Sequence, residues 1–242
     1  MLFLNQQNCR LDSILKSNDL LEINLISLIK SFPLASNLSF ELIYEDDDLL
    51  IANKPTNMLI YSDGQQMDTL TNRIAGYAKK KGYRLPILPA HRIDMDTSGI
   101  VIYGKHPLAL SYLSWLFESQ KIIKNYTCVV SGKFVEKHGV IDTSMADDRH
   151  SSKMVISPKG KKAYTTYEVI ETIEETTRLN VTIKGGRKHQ IRLHLKSIGH
   201  PIVGDLLYRG LPSDRLMLHF SKVSFIHPRL LKEVSFESTP PF

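Results

Sequence analysis

The chain has 242 residues, 42% of them hydrophobic and 23% charged, which is the composition of a globular protein with a substantial buried core. Lys and Arg total 31 against 25 for Asp and Glu, and the resulting net charge of +6 favours a polyanionic partner. Cys9 and Cys128 are too few for a disulfide framework and lack the spacing of a metal site. The sequence shows neither a signal peptide nor a membrane span, so we expect a cytoplasmic protein without membrane attachment.

The first forty residues have a weak helical spacing of apolar side chains that ends at Pro33. The side chains that carry this spacing are Leu11, Ile14, Leu15, Leu25, Leu28 and Ile29. We predict that residues 1–40 form a short N-terminal segment and that residues 41–242 form the main domain.

The main domain begins with two apolar runs, residues 49–52 and 58–60, which predict two buried strands joined by a turn. The acidic run at residues 45–48 is interpreted as the solvated entry to a strand rather than as a metal site. Residues 69–81 are predicted to form a helix, because the lysines at its end suit the helix dipole and Gly82 follows them.

The stretch HRIDMDTSGI places four ionisable residues, His91, Arg92, Asp94 and Asp96, within six positions, directly before an apolar strand at residues 100–103. Charged groups are costly to bury and are rarely ordered on a surface without a purpose. The stretch therefore indicates a functional site.

The remaining elements alternate irregularly between strands and helices. A helix is predicted from Pro107, β-rich segments at residues 124–134 and 162–170, and a strand at residues 178–184. Because many strands are adjacent in sequence, we predict an α+β fold with a mixed, largely antiparallel central sheet flanked by helices and loops.

A last helix is predicted after Gly185 and Gly186, with Lys188, His189, Arg192 and Lys196 along one face. A glycine turn that leads into a cationic helix N-terminus is a candidate anion site. An exposed basic face without a ligand explains the same pattern, and the sequence leaves both interpretations open.

The segment HRIDMDTSG resembles the HRLD-x-x-TSG signature of the RluA-type pseudouridine synthases, with Ile93 in place of the usual leucine. Further blocks occur in that family's order, and they are YEDDDLLIANKPTNMLIY, KNYTCVVSGKF, GRKHQIRLHLKSIGHPIVGDLLY and RLMLHFSKVSFIHP. The resemblance covers the chain from about Glu41 onward. Many family members carry an N-terminal S4 domain, and RLDSIL at residues 10–15 resembles its opening, but residues 1–40 are too few for a complete one.

The resemblance implies isomerisation of uridine in ribosomal or transfer RNA. The N1 glycosidic bond breaks, the uracil rotates, and C5 is joined to the same ribose carbon, which requires a base that is flipped out of its stack. This chemistry needs no cofactor and no metal, and we expect a monomer without an obligatory protein partner.

By the same resemblance, Asp94 is the catalytic carboxylate and Arg192 is its ion-pair partner. Tyr126 matches the active-site tyrosine, whose ring lies against the uracil, although by its position alone it would be interpreted as a core tyrosine. We expect Asp96 to cap the following turn. His91 is expected to be a structural hydrogen-bonding residue.

RNA contacts are predicted for five side chains. Arg92 is expected to fill the gap that the flipped base leaves. Lys54, Lys161 and Arg187 are candidates for phosphate contacts, and His189 is assigned to substrate binding from its place on the basic helix. Solvated surface positions explain Lys54, Lys161 and Arg187 equally well.

Two other functions compete with catalysis on RNA. An RNA-binding protein of the same fold without activity is opposed by the joint presence of Asp94, Tyr126 and Arg192. A metal-dependent hydrolase with His91, Asp94 and Asp96 as ligands lacks a second ligand cluster of convincing spacing.

Overall fold

A computed structural model of the chain describes residues 2–29, 31–64, 68–148, 151 and 153–242, without the side chains of residues 27 and 28. Three α-helices occur in the described part of the chain, and they are α1 (Leu70–Lys80), α2 (Pro107–Glu118) and α3 (Gln190–Ser197). The strands of this part are β1 (Leu2–Leu4), β2 (Gln7–Asn8), β3 (Leu21–Ile23), β4 (Glu41–Glu45), β5 (Leu49–Lys54), β6 (Leu88–Pro89), β7 (Ser98–Gly104), β8 (Ile123–Ser131), β9 (His138–Asp147), β10 (Met154–Ile156), β11 (Lys161–Ile173), β12 (Thr176–Lys184), β13 (Leu218–Ile226) and β14 (Glu233–Glu237). Short 3-10 helices span Leu25–Leu28 and Leu206–Tyr208.

One large mixed sheet forms the body of the molecule. Its strand order is β10-β9-β11-β12-β8-β13-β7-β5-β4, with β14 added on β13 and β6 on β7. The β13–β7 pair is parallel and the other recorded pairs are antiparallel. The predicted α+β class with a mixed, largely antiparallel sheet is confirmed.

The N-terminal segment differs from the helical pattern predicted for it. Strands β1, β2 and β3 form a small antiparallel sheet of their own. The helical spacing was wrong for Leu11 and Ile14, which are almost fully exposed, whereas Leu25 and Leu28 lie in a short 3-10 helix. The apolar side chains of Leu11 and Ile14 do not define a helix face. The boundary predicted near residue 41 stays a prediction.

Most elements of the main domain form where the pattern predicts them. Thr69 caps α1 by accepting the backbone N–H of Asn72, and Pro107 occupies the first turn of α2. The second predicted strand, at residues 58–60, is wrong: Met58 and Ile60 are buried, but this segment joins no strand ladder. Burial of an apolar run therefore does not require a sheet partner.

The register of three central strands brings distant parts of the chain together. In β13, His219 and Phe220 lie beside Ser98 and Gly99 of β7, while Phe220 also faces Tyr126 of β8. Gly99 has φ +115°, and a Cβ there would lie 2.4 Å from the backbone oxygen of Phe220. The glycine of TSG is thus required by this close approach, which fixes the start of β7 against β13, the strand that also pairs with β8.

The last helix is more buried than its basic residues suggest. Ile191 and Leu195 pack in the main core, and Arg192 and His194 are buried as well. The side-chain amide of Gln190 donates to the backbone oxygen of Tyr164 on β11 at 3.0 Å. The helix is therefore held against the sheet, and of the two open interpretations the exposed basic face does not hold for Arg192.

None of the helices in the described ranges is long and apolar enough to cross a membrane.

Candidate active site

A cavity of about 370 Å³ opens where the loop before β7, strand β8 and the start of α3 meet. The residues that line it are Arg92, Ile93, Asp94, Thr97, Tyr126, Ile183, Gly186, Arg187, Lys188, His189, Gln190, Ile191, Arg192 and Leu218. Three side chains selected from sequence, Asp94, Tyr126 and Arg192, are therefore brought together although they span almost one hundred residues.

The loop that carries Asp94 is held by backbone contacts. The carbonyl of Asp94 accepts the N–H of Thr97 at 3.1 Å, and Thr56 donates its hydroxyl to the carbonyl of Asp96 at 2.7 Å. The Asp94 side chain faces the cavity and is 25% exposed. A carboxylate on a fixed loop at a cavity wall is placed to meet a ligand.

Asp96 does not have the role predicted for it. Its carboxylate lies 3.6 Å from Nη1 of Arg192 and is 39% exposed, and the described contacts give it no side-chain bond to the following turn. The turn-capping prediction was wrong because the guanidinium, which is distant in sequence, attracts this carboxylate. Asp96 also lies outside the residues that line the cavity.

Arg192 connects the two loop carboxylates to a third acid. Its Nη1 is 3.9 Å from Asp94, at the outer limit of an ion pair, whereas Nε and Nη2 donate to Asp205 at 2.7 and 2.8 Å. Arg192 is 4% exposed and Asp205 is 1% exposed. The predicted pairing with Asp94 is present, but the strong, bidentate pair is with Asp205.

Asp205 was missed by sequence reasoning. It also accepts the backbone N–H of Tyr208 at 3.2 Å, so one carboxylate caps a 3-10 helix and holds the arginine. The available signal was a single acidic residue within the apolar stretch IVGDLLY. A buried acid of this kind requires a cationic partner.

Tyr126 forms part of the cavity wall and is 7% exposed. Its ring is stacked on Phe220 with centroids 4.6 Å apart and planes 12° apart. Burial, together with the Asp94 charge, raises the pKa of its hydroxyl, so the phenol stays protonated at neutral pH. The ring is held against Phe220, and the hydroxyl keeps its proton.

His91 and Arg92 are adjacent in sequence but have different surroundings. The His91 ring accepts the backbone N–H of Ile102 at 3.0 Å through Nε2 and stacks on Phe117. Burial, with a contribution from the Lys124 charge, lowers the pKa of His91 to about 3, so the ring is neutral. Arg92 is exposed and lines the cavity.

Lys54 contradicts its assignment as a phosphate contact. The residue is fully buried, and its ammonium donates to the carbonyls of Pro55, Met58 and Met95 at 2.8 to 2.9 Å. Burial lowers the pKa of Lys54 to about 7, although the carboxylates of Asp96 and Asp94 act in the opposite direction. Lys54 therefore fastens the loop between the two aspartates instead of contacting RNA.

The other predicted RNA contacts lie at or beyond the cavity rim. Arg187 is exposed and lines the cavity, and His189 lies half-buried beside Tyr208, with Nδ1 3.1 Å from its hydroxyl. His189 has φ +54° at the start of α3. Lys161 is exposed at the start of β11 and lies outside the cavity lining. Their contacts with RNA remain predictions.

A metal-dependent hydrolase is not supported by the geometry around His91. Its Nε2 is occupied by a backbone N–H, and the group that could hold a metal in the described ranges is elsewhere, at Asp46, Asp48 and His227. The Asp46 carboxylate contacts His227 at 2.8 Å, and Asp48 accepts from Arg229 at 2.6 Å. The acidic run is thus a half-buried hydrogen-bonded network, and the interpretation of a solvated strand entry was wrong.

The fold and the site together define a class of protein. The mixed sheet brings Asp94, Tyr126 and Arg192 to one cavity that has cationic side chains at its rim. These are the three residues that the RluA-type resemblance implies for the site. A family model described as RNA pseudouridylate synthase matches residues 48–197, which is more than half of the chain. The chain belongs to this family of enzymes, and the RluA-type resemblance is confirmed.

Individual relatives agree with this assignment. An uncharacterised RNA pseudouridine synthase of Bacillus subtilis, YhcT, is 33% identical over 230 residues, which cover 93% of this chain and 76% of the relative. The ribosomal large subunit pseudouridine synthase D of Haemophilus influenzae is 35% identical over 183 residues, which cover 74% of this chain and 55% of that protein. The solved structure of human RNA pseudouridylate synthase domain containing 1 superposes with a TM-score of 0.73 at 22% identity over 86% of each chain, which shows the shared fold.

Proposed function

We propose that this protein converts uridine to pseudouridine in ribosomal RNA, with Asp94 as the catalytic carboxylate acting on a flipped-out base. The observation that carries the proposal is the convergence of Asp94, Tyr126 and Arg192 on one cavity of about 370 Å³. Ribosomal RNA is favoured over transfer RNA because several relatives are named as ribosomal large subunit pseudouridine synthases.

Asp94 is proposed to attack or deprotonate the ribose of the target nucleotide while it is ionised. The guanidinium of Arg192 faces this carboxylate at 3.9 Å and places a positive charge beside it. The bond between N1 and the ribose carbon breaks, the uracil rotates in the cavity, and C5 bonds to the same carbon. C5 then loses its proton and N1 gains one, so the atoms balance without any co-reactant.

Tyr126 is proposed to position the uracil during that rotation. Phe220 supports one face of the ring by stacking at 4.6 Å, and the tyrosine lines the cavity in which the base would lie. Its protonated hydroxyl is suited to a hydrogen bond near C5. Base stacking on an aromatic ring contributes about 1–3 kcal/mol.

The surrounding cations are proposed to hold the RNA strand. Arg92 at the cavity mouth fills the space of the flipped base, and Arg187, His189 and Lys161 contact the strand around it. Phosphate contacts supply most of the affinity of such a surface. We propose that this surface belongs to a catalytic domain at residues 41–242 that acts as a monomer.

The experiment that tests the proposal maps pseudouridines in ribosomal and transfer RNA from cells with and without this gene. We expect at least one uridine of large-subunit ribosomal RNA to lose its modification, and expression of the wild-type chain to restore it. The Asp94→Asn variant should not restore it. Loss confined to transfer RNA would reject the ribosomal substrate, and unchanged maps would contradict the proposed function.

A further inference from the structure

A second cavity, of about 380 Å³, adjoins the candidate active site. The two cavities share five lining residues, which are Arg92, Tyr126, Ile183, Gly186 and Arg187. The second cavity extends between the loop after β12 and the end of α2, where Phe117 lines it. A strand that places a base in the first cavity therefore passes the mouth of the second.

Lys124 lies in this second cavity and was not selected from sequence. It is 6% exposed, and its ammonium donates to the carbonyl of Gly185. No carboxylate in the described ranges forms an ion pair with Lys124, Arg92 or Arg187. A buried cation without a counter-anion is unfavourable unless a ligand supplies the negative charge.

The other groups around Lys124 do not supply that charge. His91 is neutral, Phe117 presents its ring at 5.9 Å from the ammonium, and Glu118 is exposed at the end of α2. Gly186 leaves space on the side of the loop, since a Cβ there would lie 3.7 Å from the ammonium. Burial lowers the pKa of Lys124 to about 8, so a bound anion would restore its full charge.

We propose that the second cavity binds a phosphate of the RNA strand next to the target uridine, with Lys124 as its buried ligand and Arg187 at its rim. The proposal rests on the proposed function, because it assumes that the strand enters the first cavity. A phosphate beside the flipped nucleotide stays within a limited distance of the base, because the ribose joins the two covalently. Lys124 would thus bind the RNA backbone while Tyr126 contacts the base.

The test compares Lys124→Met, which removes the charge, with Lys124→Arg, which keeps it. Lys121→Met is the matched control, because Lys121 is exposed and its ammonium lies 4.2 Å from the Trp115 ring, outside both cavities. Binding of a fluorescent RNA hairpin with uridines in its loop is measured over a series of salt concentrations. Unfolding temperatures of all variants are measured in parallel.

For Lys124→Met we expect binding about 10- to 100-fold weaker at low salt, the loss typical of a charged hydrogen bond. The slope of log affinity against log salt should fall by about 0.7, the value for one phosphate of a single strand. Lys124→Arg should recover most of the slope, and Lys121→Met should keep it. If Lys124→Met binds RNA more weakly but keeps the wild-type slope, phosphate binding by Lys124 is rejected, whether or not the unfolding temperature falls. That result would indicate a structural role for Lys124 or a contact with a base.

Two further measurements separate this inference from the proposed function. Between pH 7 and pH 8.5, hairpin binding by the wild type should weaken more than binding by Lys124→Met, because only the wild type loses the Lys124 ammonium, and parallel pH curves for the two proteins would contradict the proposal. Pseudouridine formation by the wild-type protein is measured on mapped substrate RNA. If no pseudouridine forms while Lys124→Met lowers the slope of log affinity against log salt as expected, the proposed function fails and the phosphate site is still supported.

Discussion

Arg192 and Asp205 form a buried bidentate ion pair, with donor–acceptor distances of 2.7 and 2.8 Å, on the side of the guanidinium away from Asp94. The third nitrogen, Nη1, is left to face Asp94 at 3.9 Å and Asp96 at 3.6 Å. Asp205, which lies outside the cavity, thus orients Arg192 toward Asp94, which lines the cavity.

Loss of Asp205 should therefore affect both stability and chemistry. Asp205→Ala leaves the buried guanidinium without its partner, and we expect the free energy of unfolding in urea to fall by about 3–5 kcal/mol. Asp214→Ala is the control, because Asp214 is exposed. Equal unfolding free energies for Asp205→Ala and Asp214→Ala would contradict the account.

Asp205→Asn tests the effect on chemistry, because it keeps the volume of the side chain. This variant should slow single-turnover product formation with little change in RNA affinity.

The ring and the hydroxyl of Tyr126 can be tested separately. Tyr126→Phe keeps the ring stacked on Phe220, so we expect RNA affinity close to that of the wild type and a slower single-turnover rate. Tyr126→Ala should weaken RNA binding as well, by about 1–3 kcal/mol for the lost stacking. Tyr112→Phe on α2 is a matched control outside the cavity. If the wild type and Tyr126→Phe have equal single-turnover rates, the hydroxyl of Tyr126 contributes nothing to catalysis and only its ring does.

His91 gives the protein a defined sensitivity to acid. Its pKa is about 3 in the folded state because of burial, against about 6.5 for an unfolded histidine. The unfolded state therefore binds more protons between these values, so the free energy of unfolding falls as the pH drops below 6.5, by at most about 1.4 kcal/mol per pH unit. His91→Gln keeps an acceptor for Ile102 and does not titrate. Between pH 6.5 and 4.5, the free energy of unfolding in urea should depend less steeply on pH for this variant than for the wild type. If the two proteins lose stability in parallel as the pH falls, the prediction is rejected.

RNA binding should depend strongly on salt. Arg92, Arg187 and Lys188 line the cavity and are exposed, so several phosphate contacts are expected. Each contact with a single strand contributes about 0.7 to the slope of log affinity against log salt. Arg187→Gln should lower the slope, whereas Lys79→Gln on α1 should not. A flat salt response of the wild-type protein would oppose an RNA substrate.

Much of the fold was predictable where periodicity and end signals agree. Pro107 and Thr69 mark helix starts, and residues 178–184 alternate as a half-buried strand should. The small N-terminal sheet was not predictable, because its strands are only two or three residues long and β1 pairs with β3 over about twenty residues. Pairing at that distance leaves no periodic signal in either strand.

The candidate site was only partly predictable from sequence. Asp94, Tyr126 and Arg192 were found through motifs, and the cavity that gathers them agrees with their selection. The burial of Lys54 against three carbonyls is a property of tertiary packing, since a lysine beside a proline resembles a surface residue in the sequence. Asp205 was missed for the same reason.

The central claim is that Asp94, and not Asp96, carries out the reaction. It is tested most directly by single-turnover release of tritium from C5-labelled uridine in substrate RNA, with the wild type, Asp94→Asn and Asp96→Asn. We expect Asp94→Asn to release none while still binding RNA. Asp96→Asn should be at most about fivefold slower than the wild type, because a half-exposed ion pair contributes about 1 kcal/mol or less. Substantial release by Asp94→Asn, or an inactive Asp96→Asn beside an active Asp94→Asn, would contradict the assignment.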